Sequence, residues 1–487
     1  MTDLPKFWNY LINSSMIWVI NVIFTLYVIY NGRKNPRSTI IWIMIVNGFP
    51  IVGFILFFVF GKDTRKSKMF SLKKGNDIVL QELTNIQYKH LSEPNYNYND
   101  PMIKKYEQLI KMNLISDEAY FTDDNQVSFF YWGPEKFAAL MEDLRAAKST
   151  IDMQYYIFKT DDLGRQILDI LEEKASQGVK VRLIMDGFGG RKSRKKYFKP
   201  FIEKGGKVLK FFPLTLGFLN PRINYRNHRK IVVIDDRIGY IGGFNVGDEY
   251  VGRYKKFGPW RDTHVRITGG AILGLKLRFL KDWYYTSGED PDLEDDLNIT
   301  IVPGGSSSVQ VLSSGPDTKY QNIKNSMLHI INSATKELYI QTPYLIPDHA
   351  MLDCLKMALL RGVKVYIMVP AIADHTIVHW CTMSFAGELA RLGANIYAFD
   401  GGFIHSKVMF ADDIVATTGT TNLDERSFGL NFETNLVMYD RNINNELRKQ
   451  FHKDMEMSRH MTVEIFNNRP LYMKIREPIA RIFSPIF

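Results

Sequence analysis

The chain has 487 residues, 45% of them apolar and 23% charged, which excludes a largely disordered protein and leaves material for about three domains. Lys and Arg outnumber Asp and Glu by 62 to 52, and this surplus of +10 points to an anionic partner (lipid, nucleic acid or a phosphorylated substrate) or, more plainly, to a solvated basic surface. Cys354 and Cys381 are the only cysteines, so no disulfide framework, Cys-rich zinc site or CxxC pair can be built.

In chain order, the first feature is a pair of apolar runs. Residues 7–32 contain no charged residue or histidine, and neither do residues 38–61. Each run exceeds the roughly 20 residues a helix needs to cross a bilayer. Trp8, Trp18, Tyr27, Tyr30 and Trp42 fall where interfacial aromatics often lie. A cleaved signal peptide would have a shorter apolar core, a basic start and a small-residue cleavage site. The expectation is a transmembrane hairpin over 1–61. Arg33, Lys34 and Arg37 lie in its connecting loop, against Lys6 and the basic stretch from Lys62 to Lys74 on the other side. The positive-inside bias then places both termini, and the main body, on the cytoplasmic face of the cell membrane, against anionic lipid.

Residues 62–130 are polar and mixed, with the turn-rich stretch SEPNYNYNDP at 92–101, and read as a linker and lead-in with some helix. From Phe137 a helical pattern leads into the strand IDMQYYIF, the helix LGRQILDILEEKASQG and the buried strand VKVRLIMD. A basic stretch follows, then another helix–strand pair, FKPFIEKGGKVLKFF. The same order returns as ELYIQTPYLI, LDCLKMALLRGVKVYIMVP and ELARLGANIYAFD. Gln154 and Gln341 match, and so do the Gly-Val-Lys-Val runs at 178–181 and 362–365. Alternating strands and helices imply α/β domains, here duplicated about a pseudo-twofold axis: 131–305 and 306–487.

Each copy carries H-x-K-x4-D: His228, Lys230 and Asp235 in the first, His405, Lys407 and Asp412 in the second. Each Asp is followed seven residues later by a glycine (Gly242, Gly419) and ten residues later by an asparagine (Asn245, Asn422). His and Lys at i and i+2 of a strand point to one face, so two facing units would bring two imidazoles and two ammoniums around one pocket. A phosphodiester needs positive charge and amide donors on its non-bridging oxygens, which Lys230, Lys407, Asn245 and Asn422 can supply. One histidine can attack phosphorus while the other protonates the leaving alkoxide and then activates the acceptor. WRDTHVRI and FETNLVMY also match, aligning Asp262 with Glu433, and such carboxylates can orient the imidazoles.

The paired motifs resemble the phospholipase D superfamily. More narrowly, NPRSTIIW, FPIVGFILFFVFGK, NYRNHRKIVVIDDRIGYIGGFNVGDEY, QTPYLIPDHAM, FIHSKVMFADD and the terminal SPIF resemble bacterial cardiolipin synthases. The resemblance covers nearly the whole chain and implies two phospholipase D-like sandwich domains behind the hairpin. It implies condensation of two phosphatidylglycerols into cardiolipin and glycerol, without a metal or other cofactor. It makes His228 the nucleophile, Asp262 and Glu433 the orienting acids, and the motif Asp235 and Asp412 more structural. Hydrolysis, or another phosphatidyl transfer, would use the same machinery. No nucleic-acid partner is expected.

The copies differ. Thr420 stands where Gly243 would lie, and Arg426 where Glu249 would lie. The approach to the first histidine is longer and includes PLTLGFLNPRINYRN, read as a membrane-facing lip or an ordinary surface loop. His375 and His379 share metal-ligand spacing without HExxH or a carboxylate partner, so a headgroup contact or plain helix surface is the favoured reading. The run RKSRKKYFK at 191–199 suits anionic lipid or a solvated loop. The tail LYMKIREPIARIFSPIF lies at the interface or packs on the domain.

Overall fold

The computed structural model describes residues 15–31, 36–57, 74–213, 224–289, 296 and 302–484. The chain divides into two compact units, Met1–Met69 with Phe212–Tyr225, and Phe70–Phe211 with Arg226–Phe487.

The first unit holds α1 (Ser15–Asn31), α2 (Pro36–Gly48) and α3 (Pro50–Leu56). Pro50 lacks the N–H that a continuous helix would need, and the chain breaks there between α2 and α3. Asn47 links the first two helices, accepting from Asn21 and donating to Thr25, each at 3.1 Å. Phe24 stacks on Phe54. Trp18, Ile23, Leu26, Ile40, Ile41, Met44 and Ile51 are exposed. Among the described residues no helix is long and apolar enough to cross a membrane; α1 has 17 residues and α2 has 13.

The second unit is an α/β duplication. Its lead-in helices are α4 (Lys74–Leu91) and α5 (Glu107–Asp117). The first copy contains β1 (Thr122–Trp132), α6 (Gly133–Ala146), β2 (Thr150–Tyr155), α7 (Asp162–Ser176), β3 (Lys180–Asp186), α8 (Lys199–Glu203), β4 (Lys207–Phe211), β5 (Arg226–Asn227), β6 (Ile231–Ile234), β7 (Ile238–Gly242), β8 (Trp260–Thr268) and α9 (Ala271–Ser287). The second contains β9 (Ser307–Ser314), α10 (Asn322–Ser333), β10 (Glu337–Gln341), β11 (Leu345–Ile346), α11 (His349–Leu360), β12 (Lys364–Pro370), α12 (Thr376–Arg391), β13 (Asn395–Phe399), β14 (Phe403–Ile404), β15 (Val408–Ala411), β16 (Val415–Gly419), β17 (Leu423–Asp424), α13 (Glu425–Gly429), β18 (Asn431–Tyr439), α14 (Arg441–Glu456) and β19 (Ser458–His460). The short α15 (Val463–Asn467) and α16 (Leu471–Ile482) close the chain.

Hydrogen-bonded neighbours run β4-β3-β2-β6-β7-β8-β1 in the first copy. They run β9-β18-β16-β15-β10-β12-β13-β19 in the second. The β1–β9 pair joins the two. Strand β1 thus begins nine residues ahead of the repeat as read from sequence and already belongs to the sheet. Helix α5 likewise sends Leu109, Ile110 and Leu114 into the core of the second copy.

Local chemistry explains the repeat. Asp161 and Asp348 each cap the helix that follows, accepting from Gly164 N and Met351 N. Each of those helices then turns into a parallel strand through Gly178 or Gly362, with φ of +86° and +83°, where a side chain would be strained. A third core, between the sheets, mixes Ile231, Val233, Ile241 and Val265 of the first copy with Phe399, Val408, Phe410 and Leu436 of the second. The two copies therefore fold against one another rather than as separate beads.

Candidate active site

The two motifs meet because each chain segment crosses to the opposite copy. Strand β5 pairs in parallel with β18, and β14 pairs with β8. His228 N then donates to Phe432 O at 2.9 Å, and His405 N donates to Arg261 O at 2.7 Å. The expectation of a regular strand under each His-x-Lys is corrected here. Residues 228–230 and 405–407 lie in the gaps β5–β6 and β14–β15, where the backbone has left its own sheet. Each lysine folds back on its motif: Lys230 Nζ donates to His228 O and Lys407 Nζ to His405 O, both at 2.5 Å.

The crossing exchanges the carboxylates. Asp262, of the first copy, lies 2.7 Å from His405 Nδ1. Glu433, of the second, places both oxygens 3.0 Å from His228 Nδ1. A carboxylate there fixes Nδ1 as the protonated nitrogen and leaves Nε2 as the basic one. Neighbours set the acids in turn. Thr263 N donates to Asp262 at 2.7 Å. Thr420 Oγ1 donates to Glu433 at 2.5 Å, and Asn431 Nδ2 at 3.2 Å. The Gly243/Thr420 difference now has a cause. A Cβ on Gly243 would sit 2.0 Å from Asp262 Oδ1, whereas Thr420 uses that space to hold Glu433.

Burial dominates the electrostatics. It pulls His228 down to about 4, against the upward pull of Glu433. His405 is also lowered, first by burial and then by the Lys407 charge. Burial brings Lys230 to about 7 and Lys407 to about 8. Burial would raise Asp262, but Lys407 and His405 outweigh it and hold the carboxyl below its ordinary value. Glu433 is held down in the same way by His228 and Lys230. The site therefore holds neutral imidazoles and lysine amines that give up their protons near neutral pH, and a bound anion would favour their protonated forms.

His228 opens into a cavity of about 650 Å³ that Tyr156, Arg226, Tyr344, Asn422 and Arg426 also line. Arg226 and Arg426 bring positive charge, and Asn422 keeps a buried Oδ1 without a hydrogen-bond partner. His405 is not among the lining residues but couples electrically to Lys230, as His228 does to Lys407. His375, at the N-terminal edge of α12, lines the same cavity, while burial and the nearby Arg469 and Arg476 lower His379. Among the described residues no group of three or more His, Cys, Asp or Glu is placed to hold a metal ion.

Three expected members stand apart. Asn245 Oδ1 accepts from Ile157 N and its Nδ2 donates to Tyr250, both at 3.1 Å, so its amide braces a loop rather than lining the cavity. Asp235 and Asp412 lie five residues beyond each lysine, about 16 Å along an extended strand. Asp235 accepts from Lys148 N, Ser149 N and Thr150 N at 2.8, 2.7 and 3.0 Å. Asp412 accepts from Thr335 N and Lys336 N, with distances down to 2.8 Å. Those bonds fasten the far turn of each sheet. Of the long approach to His228, residues 214–223 lie outside the described residues.

Sequence reasoning missed the supports beneath the histidines. Asp282 on α9 holds Gln154 at 2.6 Å and Arg229 at 2.7 Å. Asp454 on α14 holds Gln341 and Arg261, both at 2.7 Å. The signal was present as Phe-x-Lys-Asp at 279–282 and again at 451–454. Both arginines come from the first copy, so no alignment of the repeats would have paired them.

The comparisons agree with this geometry. A family model described as "Cardiolipin synthase, PLD-like domain" matches residues 140–255 and 327–455, and one described as "Phospholipase_D-nuclease N-terminal" matches 19–62. The chain is 41% identical over 472 residues to a cardiolipin synthase of Listeria innocua, covering 97% of this chain and 98% of that one. It is 42% identical over 481 residues to cardiolipin synthase 2 of Staphylococcus epidermidis, covering 98% and 99%. A crystal structure of phosphatidylserine synthase from Haemophilus influenzae shares the fold, with a TM-score of 0.60 at 16% identity over 78% of this chain and 98% of that one. With two crossed motifs in one duplicated sheet and relatives aligned end to end, the chain belongs to the cardiolipin synthases of the phospholipase D superfamily.

Proposed function

We propose that this enzyme joins two phosphatidylglycerols into cardiolipin and releases glycerol, through a phosphatidyl-histidine. The observation that carries the reading is the crossed pair of carboxylate-held imidazoles, one from each copy. His228 is the nucleophile. It is neutral near pH 7, its Nδ1 proton is held by Glu433, and it faces the cavity. Its Nε2 attacks phosphorus and forms the P–N bond as the P–O bond to glycerol breaks. His405 gives its proton to the departing glycerol oxygen. It then takes the proton of the second lipid's headgroup hydroxyl, which attacks phosphorus and frees His228. Lys230, Lys407, Arg226, Arg426 and Asn422 oppose the charge on the phosphoryl oxygens. The incoming anion raises the lysines and His405 toward their protonated forms.

The domains follow as a hairpin anchor over 1–61, a lead-in over 62–130 and catalytic copies over 131–305 and 306–487. The exposed apolar faces of α1 and α2 and the long uncharged runs support insertion of the hairpin in the cell membrane, with the catalytic copies on its cytoplasmic side. Removing residues 1–61 is expected to lower turnover on vesicles more than on detergent-dispersed lipid. The reaction is tested by product identity with purified protein in phosphatidylglycerol vesicles. Cardiolipin with equimolar glycerol is expected; phosphatidic acid would mean that water is the acceptor.

A further inference from the structure

Helix α16 is amphipathic the wrong way round for a protein in water. Leu471, Ile475, Ile479 and Ile482 follow the one-face spacing of a helix and are 72%, 53%, 51% and 74% exposed. The opposite side carries Arg476, Glu477 and Arg481 around the buried Ala480, and it faces the protein. Arg469 pairs with Glu477 at 2.7 Å, beside Phe466. Arg476 lies over Trp380, and Arg481 lies over Phe385 and pairs with Glu388 at 2.5 Å. A helix docked only for stability would bury its isoleucines. Here the ion pairs fix the helix so that the isoleucines point outward.

The placement says what they meet. Arg476 and Arg481 contact α12 in chain order, so α16 runs alongside α12 in the same direction. Its first residues, Leu471 and Tyr472, therefore sit at the end of α12 that carries His375, Ile377 and Val378. Those three residues line the cavity of His228, and Ile377 is itself 48% exposed. The apolar stripe thus leads up to the lining of the site. A cavity of about 650 Å³ suits a group of drug size, so the acyl chains of a phospholipid must remain outside it. Lys474 is exposed on the same helix, and Arg191 and Arg226 stack on the part-exposed Phe188 next to the cavity. Apolar residues flanked by cations match the boundary between acyl chains and anionic headgroups.

We propose that α16 is an interfacial membrane helix that seats the mouth of the His228 cavity on an anionic bilayer, so that headgroups enter while chains stay in the lipid. This rests on the reading of the substrates as bilayer phospholipids. The full-length protein is reconstituted in vesicles of phosphatidylglycerol and phosphatidylcholine, with an environment-sensitive fluorophore on Ile479→Cys. Cys354 and Cys381 are buried, and Glu173→Cys on α7 serves as the aqueous control. Nitroxide-bearing acyl chains should quench position 479 at least about threefold more than position 173. Quenching at 479 by a water-soluble nitroxide instead would overturn the proposal, as would protection from both quenchers, which would mean a second copy covers the helix. The double variant Ile475→Glu/Ile479→Glu should form cardiolipin about tenfold more slowly on vesicles and within about twofold of normal in detergent. Equal losses in both would show that the face serves folding and would also overturn it. Quenching does not depend on turnover, so acyl-chain quenching at 479 in a protein that makes no cardiolipin would sustain this surface and refute the reaction.

Discussion

The two halves of the site have the same parts in different fits. Around His405, a short carboxylate reaches Nδ1 at 2.7 Å across the space that Gly243 leaves open, and Lys407 lies 2.9 Å from Nδ1 and 3.2 Å from Nε2. Around His228, a longer carboxylate meets Nδ1 with both oxygens at 3.0 Å, steadied by Thr420 and Asn431. Lys230 makes no such contact with the His228 ring and donates to the backbone. The ring of His228 opens to the cavity, whereas that of His405 carries a cation against it. A nucleophile needs an accessible nitrogen that is neutral at working pH. An acid and base must exchange a proton at each step, and a neighbouring lysine lets bound anion control it. The difference supports the proposed roles, His228 in attack and His405 in proton transfer.

The sharpest way to break that assignment is to remove each ring. His228→Ala and His405→Ala should each cost at least about 10^4-fold in cardiolipin formation, since both act in one sequence. With a phosphatidyl donor bearing an activated aryl leaving group, His405→Ala should accumulate label on the protein, mapped to residue 228. His228→Ala should accumulate none. Label at residue 405 in the His228→Ala protein would reverse the roles.

Exchanging the carboxylates for amides tests the crossing itself. Glu433→Gln and Asp262→Asn should each cost about 10^2 to 10^3-fold, by losing the tautomer lock and the support of the cation. Their signatures should differ. Glu433→Gln should slow labelling of His228, whereas Asp262→Asn should let label form with the activated donor and then persist. If each acid served the histidine of its own copy, the two phenotypes would trade places.

Much of this arrangement could be read before any coordinates, and the reason is duplication. His228 with His405, and Asp262 with Glu433, stand out because one chain states them twice. Periodicity gave the strands and helices around them, since their apolar faces are buried in the ordinary way. The crossing could not be read, because alignment within each copy is silent about which copy supplies a partner in space. Arg229 and Arg261 were invisible for a related reason: they occupy different positions in the first copy and serve Asp282 and Asp454 on the two closing helices. Asn245 shows the limit of matched spacing: it stands where Asn422 does in the repeat, but its amide is bonded to Tyr250 and Ile157.

Substitutions at the Gly243/Thr420 position should sharpen the comparison at lower amplitude. Gly243→Ala puts a methyl group 2.0 Å from Asp262 Oδ1, and moving that carboxylate should cost about 10^2-fold, with the Asp262→Asn signature. Thr420→Val removes one hydrogen bond to Glu433 and should cost about tenfold, with the Glu433→Gln signature. Equal effects, or the same signature from both, would mean that the halves are interchangeable.

The lysines add a pH test. His228 is neutral above about 4, so it sets only the acid limb. Lys230 and Lys407 lose their protons as pH rises through about 7 and about 8. Because kcat/KM reports the free enzyme, it should decline through that window, by more than about tenfold between pH 7 and 9. A rise over the same range would mean that a deprotonated lysine, rather than an ammonium, is the working form.

The motif aspartates should show the smallest effect on chemistry, although they complete the signature. Asp235 and Asp412 adopt φ of +51° and +48° at the end of β6 and β15, a conformation that Asn and Asp tolerate better than most residues. Each carboxylate gathers backbone donors from the loop entering the neighbouring strand, Lys148–Thr150 or Thr335–Glu337. Burial alone would raise Asp235, but those donors hold it below its ordinary value, and Asp412 is lowered the same way. Their stabilising share is therefore present above the unfolded pKa and lost as pH falls through the folded value. Asp235→Ala leaves several N–H groups without their acceptor and puts Ala at positive φ, at a cost of about 2 kcal/mol or more in stability. Asp235→Asn keeps one acceptor oxygen and the conformation, and should cost about half that. For either variant, kcat/KM of the folded fraction should stay within about threefold of the parent, because the change lies about 16 Å from Lys230. Thermal melts beside initial rates below the transition check both halves. A normal melt with a collapsed rate would return Asp235 to the catalytic machinery.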